Sequence, residues 1–277
     1  MSEQTLTIIK SNGEKFIISS NEDMRVLTFL PSSPFFNTQY EKIPGRHGEI
    51  DVGGSFDARD NIKSRIFFRS KGIHDFYLFR NEIFKLFASQ EPFYIITNRE
   101  PGKRWNVRVA SKYEAEPKGN GHYGVFDIVF KSASAFVESV GTTLDILTFD
   151  SDLWQIGQGL ITEDLVYRHS TTNFQIFNAG DEEIDPRSFP LLITFTGAST
   201  NLKIQNKTTG DKWLYNGTTT SNDIIRLDGI RSTKNSLSIF RDTNRKLISI
   251  KPGWNDFEIT GATSPFSISF DFRFYYL

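Results

Sequence analysis

The sequence predicts a mainly β protein built as two β domains, the first carrying one α-helix and a long hairpin. Three observations lead there. Short runs alternating apolar and polar residues, broken by Gly, Pro, Asn and Asp, recur along nearly the whole chain, and period-two alternation marks half-buried strands. One segment departs from that pattern: Phe76, Phe79, Ile83, Leu86 and Phe87 fall into a single apolar stripe at the period of a helix. Finally, 277 residues are many for one β domain and enough for two cores.

Taken in order, residues 5–19 (TLTIIKSNGEKFIIS) read as a hairpin, with two apolar runs flanking Ser11, Asn12 and Gly13, of which Asn and Gly tolerate positive φ. From Leu30 to Gly54 the text is loop-like, punctuated by Pro31, Pro34, Pro44, Gly45, Gly48, Gly53 and Gly54. A stretch of that length without a period is functional or contacts something else, and it carries Phe35, Phe36 and Tyr40.

Ser64 to Thr97 reads strand, helix, strand. The helix is expected from about Phe76 to Ser89, with Asp75 as N-cap and Pro92 as the stop. A lone helix in a β protein covers an open sheet or plugs one end of a sandwich. Tyr77 and Phe84, seven apart and off the main stripe, give this helix a second aromatic row, which adds a partner subunit as a second reading. Beyond it, Pro101 and Gly102 suit a tight turn. Arg104 and Trp105 follow that turn, and both residue types are favoured interface anchors. Strands Trp105 to Val109 and Tyr123 to Phe130 flank a turn at Lys118 to Gly121, and a polar, Gly-containing segment follows Ser139. The domains are therefore placed at 1–140 and 141–277.

In the second half, short strands are expected at Asn173 to Asn178, Leu191 to Thr196, Leu202 to Asn206, Lys212 to Asn216, Ile224 to Leu227, Ser236 to Phe240, Leu247 to Ile250 and Asp256 to Thr260, a spacing that suits a sandwich. In the closing FSISFDFRFYYL, Phe266, Ile268, Phe270, Phe272, Phe274 and Tyr276 share one face, and together they would contribute on the order of 10 kcal/mol gross on burial.

Composition removes several function classes. The chain has no Cys, so disulfides, thiolate metal sites and cysteine nucleophiles are absent. Its four His are scattered without metal-ligand spacing, and no nucleophile-elbow, P-loop or dinucleotide fingerprint occurs. No cofactor, metal or catalytic residue is therefore expected. Asp181, Glu182, Glu183 and Asp185 offer paired carboxylates to a glycosidase, but beside Gly180 and Pro186 they read as a solvated turn. No apolar run suggests a membrane span, and no secretory signal is visible, so synthesis in the cytoplasm is expected.

Lys and Arg outnumber Asp and Glu by 19 to 17 over residues 1–140 and fall short by 13 to 16 beyond, which leaves no global footprint for nucleic acid. Alternation places Lys63, Arg65 and Arg69 on one face, with Lys71, Lys103, Arg104 and Arg108 nearby. A nucleic-acid groove is one reading. A salt-bridge network with Asp57, Asp60, Asp75 and Glu100 is the reading adopted. Trp213 and Tyr215 share a strand face, and with Trp254 they are the candidates for a sugar platform if the second domain binds carbohydrate.

Several strings, in order, resemble the distal tail protein family of bacteriophages with long non-contractile tails. They are KIPGRHGEID (Lys42 to Asp51), the RIFF strand with its helix, EPFYI (Glu91 to Ile95), PGKRWNVRV (Pro101 to Val109) and FDIVFKSASAFVES (Phe126 to Ser139). FNAGDEEIDPRSFPLLITFTG (Phe177 to Gly197), IQNKTTG (Ile204 to Gly210), PGWNDFEITG (Pro252 to Gly261) and FDFRFYYL complete the set. The resemblance implies a structural virion protein at the tail tip, a hub joining tail tube to tip or baseplate as a ring of six. The second half would then be a galectin-like or carbohydrate-module-like β-sandwich. The implied partners are further copies of the chain, the tail tube protein, a tail-tip or tail-associated protein and, as a further candidate, a receptor-binding protein. Phe35, Phe36, Tyr40, Tyr77, Phe84, Arg104 and Trp105 are the expected subunit-interface residues. The competing class is a carbohydrate-binding sandwich or glycosidase.

Overall fold

The computed structural model describes residues 3–19, 23–148, 151, 153–160 and 165–277. Part of the polar segment expected between the two halves lies outside them. The chain divides into two compact units, Met1–Val137 with Leu277, and Glu138–Tyr276.

The first unit contains β1 (Leu6–Ile9), β2 (Lys15–Ile18), β3 (Met24–Leu30), β4 (Phe36–Glu41), β5 (Ile50–Phe56), β6 (Ile62–Arg69), α1 (Ile73–Phe87), β7 (Phe93–Thr97), β8 (Glu100–Val109), β9 (Glu116–Lys118) and β10 (Tyr123–Lys131). Its main sheet runs β2-β1-β7-β8-β10-β6-β3, with β9 on β10. The first hairpin forms as expected, Leu6 opposite Ile18 and Ile9 opposite Lys15.

α1 buries Phe76, Ile83 and Phe87. Phe68 of β6 meets Phe76 at 5.0 Å and Phe79 at 5.3 Å between ring centroids, and Phe87 meets Phe130 of β10 at 5.9 Å. The helix therefore lies on the face formed by Ile62, Ile66, Phe68, Phe126, Ile128 and Phe130, all buried. Offset and edge-on ring pairs of this kind add to area burial.

Three local expectations are corrected. The helix starts at Ile73 with Gly72 as N-cap. Asp75 lies inside the first turn, where its Oδ2 accepts from the backbone N–H of Lys71 at 2.8 Å; it reaches back as a capping-box carboxylate does. Residues 30–54 are not a structureless loop: β4 and β5 pair as a separate two-stranded ribbon, Phe36 opposite Phe56 and Glu41 opposite Ile50. The turn between β7 and β8 falls at Asn98 and Arg99, since Thr97 pairs with Glu100. Pro101 and Gly102 lie within β8.

β11 (Val137–Ser139) leads into the second unit, which holds β12 (Arg168–His169), β13 (Asn173–Asn178), β14 (Leu191–Asn206), β15 (Lys212–Leu214), β16 (Thr218–Thr219), β17 (Ile224–Asp228), β18 (Arg231–Lys234), β19 (Leu237–Ser238), β20 (Gly253–Phe272) and β21 (Tyr275–Tyr276). β14 and β20 form one long bent ladder, Leu191 opposite Phe272 and Asn206 opposite Phe257. One stretch of it also pairs with β17 and β12, the other with β15 and β13. The two stretches pack on each other: Phe270 from one reaches Phe257 at 4.8 Å and Phe174 at 5.8 Å from the other.

Four strands expected as separate are thus fused into two, because the ladder bends through bulges between Gly197 and Lys203. Gly261 sits at this bend with φ +82°, and a Cβ there would fall 2.5 Å from the carbonyl oxygen of Thr200, so only glycine lets the strand pass. The closing set Phe266, Ile268, Phe270, Phe272, Phe274 and Tyr276 is buried throughout, although β20 ends at Phe272 and Tyr276 belongs to β21.

Candidate functional site

The largest surplus of exposed apolar surface in the first unit lies on the β4–β5 ribbon. Phe35 is 64% exposed, Tyr40 60% and Phe36 48%, with Ile43 and Val52 also exposed. The ribbon is anchored at its base, where Phe36 packs edge-on against Phe56 at 5.1 Å and Phe56 against Phe136 at 5.8 Å. Farther out it is held by its own ladder and an exposed Lys42–Glu49 pair at 3.6 Å. An isolated two-stranded hairpin is marginal in water, so its outer half presents apolar side chains without a layer to cover them.

Behind the ribbon, Arg59 is buried. Its Nε and Nη2 donate to the carbonyl of Ala135 at 3.1 and 2.9 Å, its Nη1 donates to the carbonyl of Ser32, and its guanidinium lies over the ring of Trp105 at 5.3 Å. Burial lowers its pKa from the ordinary arginine value. The sequence offered no signal for this residue, because its partners are 27 and 76 positions away.

Trp105 is 5% exposed, so it belongs to the core of the unit and does not project from it. Alternation along β8 turns Trp105 and Val107 inward together. Arg104 lies over the ring of Tyr94 at 3.9 Å. Tyr77 is exposed, and Phe84 is half-buried against Tyr113 at 5.5 Å. Arg80 joins them, with its guanidinium 4.8 Å from the Tyr77 ring and 5.5 Å from that of Phe84. Part of the second aromatic row is thus covered from within, and Tyr113, which covers it, was not foreseen.

Of the expected salt-bridge network, the Lys103–Glu100 pair forms, whereas Asp57, Asp60 and Asp75 are engaged by other groups. Among the described residues, Arg65 pairs with Asp127 at 3.7 Å and Lys103 with Glu100 at 3.6 Å. Asp57 accepts from Asn37, Asp60 from Asn61 and Asp75 from the backbone of Lys71.

In the second unit, Trp213 is 1% and Tyr215 6% exposed, and Trp213 Nε1 donates to Ser232 Oγ at 3.2 Å. Both rings belong to the core, which leaves them no face for a sugar. Trp254 is 41% exposed, against Phe177 at 4.9 Å. The acidic run closes a turn: Asp181 N–H donates to the Tyr275 carbonyl and Asn178 Nδ2 to that of Glu182. Asp185 is held by Arg187 through contacts of 2.5 to 3.0 Å, which keep its carboxyl below the usual range. Next to it lies a polar cleft lined by Asp211, Lys212, Asn244 and Ser249 among others, where Asp211 is bound by Ser249 and Thr209. Among the described residues no group of three or more His, Cys, Asp or Glu is placed to hold a metal ion, and no helix is long and apolar enough to cross a membrane.

Residues 11–132 match the family model of the phage tail protein RIFT-related domain. The crystal structure of the SPP1 Dit (gp 19.1) protein, described as a paradigm of the hub adsorption apparatus in Gram-positive infecting phages, shares the fold. The likeness covers 97% of this chain and 99% of that one, at a TM-score of 0.69 and 14% identity. A chain of the phage P2 baseplate in its activated conformation with Ca aligns over 99% of this chain and 98% of its own, at 12% identity and a TM-score of 0.47. Among curated proteins no sequence matches this one.

Proposed function

We propose that this chain, whose residues 11–132 match the model of the phage tail protein RIFT-related domain, is a structural hub protein of a bacteriophage tail. It assembles as a ring of six through residues 1–140, joining the tail tube to the tail tip or baseplate, and carries the sandwich of residues 141–277 on that ring. It resides in the virion and is made in the host cytoplasm. Its partners are further copies of itself, the tail tube protein and a tail-tip or tail-associated protein, with a receptor-binding protein as a further candidate. The whole-length likeness to a hub protein supports this reading.

The observation that carries assembly is the β4–β5 ribbon, with Phe35, Phe36, Tyr40, Ile43 and Val52 exposed. In a head-to-tail ring each copy uses two different patches, and a ribbon extended from one copy onto the next supplies one of them. The closing aromatic set of the second unit is turned inward, and the competing sugar-binding reading retains only Trp254 as an exposed aromatic of its three candidates.

Light scattering of the purified full chain tests the proposal. A mass of about six times 31.7 kDa that persists on dilution is expected, and a strictly monomeric chain at every concentration would overturn it. Binding to wall polysaccharide that is lost in Trp254→Ala would favour the carbohydrate reading instead.

A further inference from the structure

We infer that the open face of β3, β6 and β10, opposite the face covered by α1, binds the phosphate backbone of duplex DNA without regard to base sequence. Side chains on a strand alternate between faces. With Ile62, Ser64, Ile66 and Phe68 turned toward the helix side, Lys63, Arg65, Phe67 and Arg69 share the other. The register extends this row onto its neighbours: Phe67 lies opposite Arg25 of β3 and Val125 of β10, and Arg69 opposite Tyr123. Lys131 lies on the same face of β10.

Few carboxylates neutralise these cations. Asp127, Glu116 and Asp23, whose backbone carbonyl accepts from the Arg69 N–H at 2.6 Å, are the carboxylates that the strand pairing brings to this face. The Arg65–Asp127 contact is 3.7 Å between side chains that are both more than half exposed, a geometry worth little in water. Lys63 and Arg69 make no ion pair among the described residues. Arg25 is fixed in place, with its guanidinium 4.4 Å from the Phe67 ring and Phe67 stacked on Tyr123 at 5.8 Å. Its Nε is buried without an acceptor, and Arg25 makes no ion pair among the described residues. The chain as a whole has a net charge of -1, which makes the local excess a property of this face.

Two chemical arguments select duplex DNA. The core of a protein interface is depleted of charge, whereas this face has a row of cations running through its centre. Single strands are held by several open aromatic platforms, whereas here Phe67 and Tyr123 are stacked on each other. Alternate residues on one strand are about 6.6 Å apart, a spacing comparable to that of successive phosphates along a DNA strand. Such contacts position a backbone and carry no sequence information.

Fluorescence anisotropy of the full chain with a labelled duplex of about 30 base pairs tests this, at salt concentrations from about 50 to 200 mM. Binding that is independent of sequence and weakens steeply with salt is expected. The triple variant Lys63→Gln, Arg65→Gln, Arg69→Gln should lose at least about tenfold at low salt, with the slope of log K against log salt shallower by about 2 to 3. Asp127→Asn, which removes a carboxylate and leaves the core untouched, should bind more tightly; it keeps the test decisive if the triple variant folds poorly. Lys212→Gln with Lys246→Gln, in the other unit, should change nothing. An unaltered affinity in the triple variant, no binding by the natural chain at low salt, or a triple variant that loses only its assembled mass would each overturn the inference. Because the titration reads DNA and light scattering reads mass, failure of this face and failure of the ring are separate results.

Discussion

Arg59 lies over the indole of Trp105 at 5.3 Å while donating to the carbonyls of Ala135 and Ser32. One side chain thus covers the edge of the core and ties the entry and exit of the β4–β5 ribbon to the segment after β10. Arg59→Ala leaves two carbonyls without a donor and uncovers the ring, at an expected cost of about 2 to 4 kcal/mol. Arg59→Lys should recover less than half, since an ammonium cannot serve both carbonyls from one plane. Urea unfolding followed by tryptophan fluorescence measures both, and an alanine variant within ~0.5 kcal/mol of the natural chain would show that the staple is idle.

Gly121 closes the turn before β10 with φ +82°, and a Cβ there would lie 2.5 Å from Ile73 Cα and 2.8 Å from its backbone nitrogen. Gly121→Ala should therefore cost about 2 kcal/mol or more, because neither backbone can give way without shifting the start of α1. Gly13, at φ +87° in open space, supplies the comparison: Gly13→Ala should cost about 1 kcal/mol from the backbone alone. Equal midpoints for the two in thermal unfolding would contradict the argument.

Lys10 borders a cleft of about 400 Å³ between α1 and the first hairpin. Its Nζ is buried without an acceptor, 4.8 Å over the ring of Phe93. Burial holds its pKa below the ordinary lysine value, and Glu14 opposes that shift. Lys10→Met keeps the stem and removes the charge, so it should stabilise the chain by about 1 kcal/mol near neutral pH. With the folded pKa depressed, the unfolded chain binds more protons between that value and 10.5, and the lysine's penalty shrinks as pH rises through this window. The gain from Lys10→Met should accordingly be smaller at pH ~10 than at pH ~7. A gain that grows with pH would reverse the assignment.

If the β4–β5 ribbon reaches a neighbouring copy, Phe35→Ser, Tyr40→Ser and Ile43→Ser together should lower the assembled mass while costing no more than about 1 kcal/mol of stability, since all three are exposed in the isolated chain. Trp105→Phe should act in the opposite sense, costing stability through the core and leaving the mass unchanged once folded. Light scattering beside thermal unfolding separates the two, and a triple variant of unchanged mass would remove the ribbon from the contact.

What the sequence determined by itself is what depends on neighbours a few positions away. The stripe of Phe76, Ile83 and Phe87 turns inward because a helix of any context repeats every 3.6 residues, and Phe266, Ile268, Phe270 and Phe272 share a buried face because a strand repeats every two. The hairpin of β1 and β2 follows equally from two apolar runs about a turn. Only the tertiary structure decided which face a second layer would cover. Trp105, Trp213 and Tyr215 carry the same residue types as surface anchors and sugar platforms, yet strands β7, β14 and β18 pack them away. Residues 30–54 lack a clear period because both faces of β4 and β5 are largely exposed, so no alternation was required of them. The carboxylates near Lys63, Arg65 and Arg69 in the sequence were drawn off by Asn37, Asn61 and the backbone of Lys71. Charge proximity along a chain does not fix distance in space, and the pairing of strands far apart in sequence does.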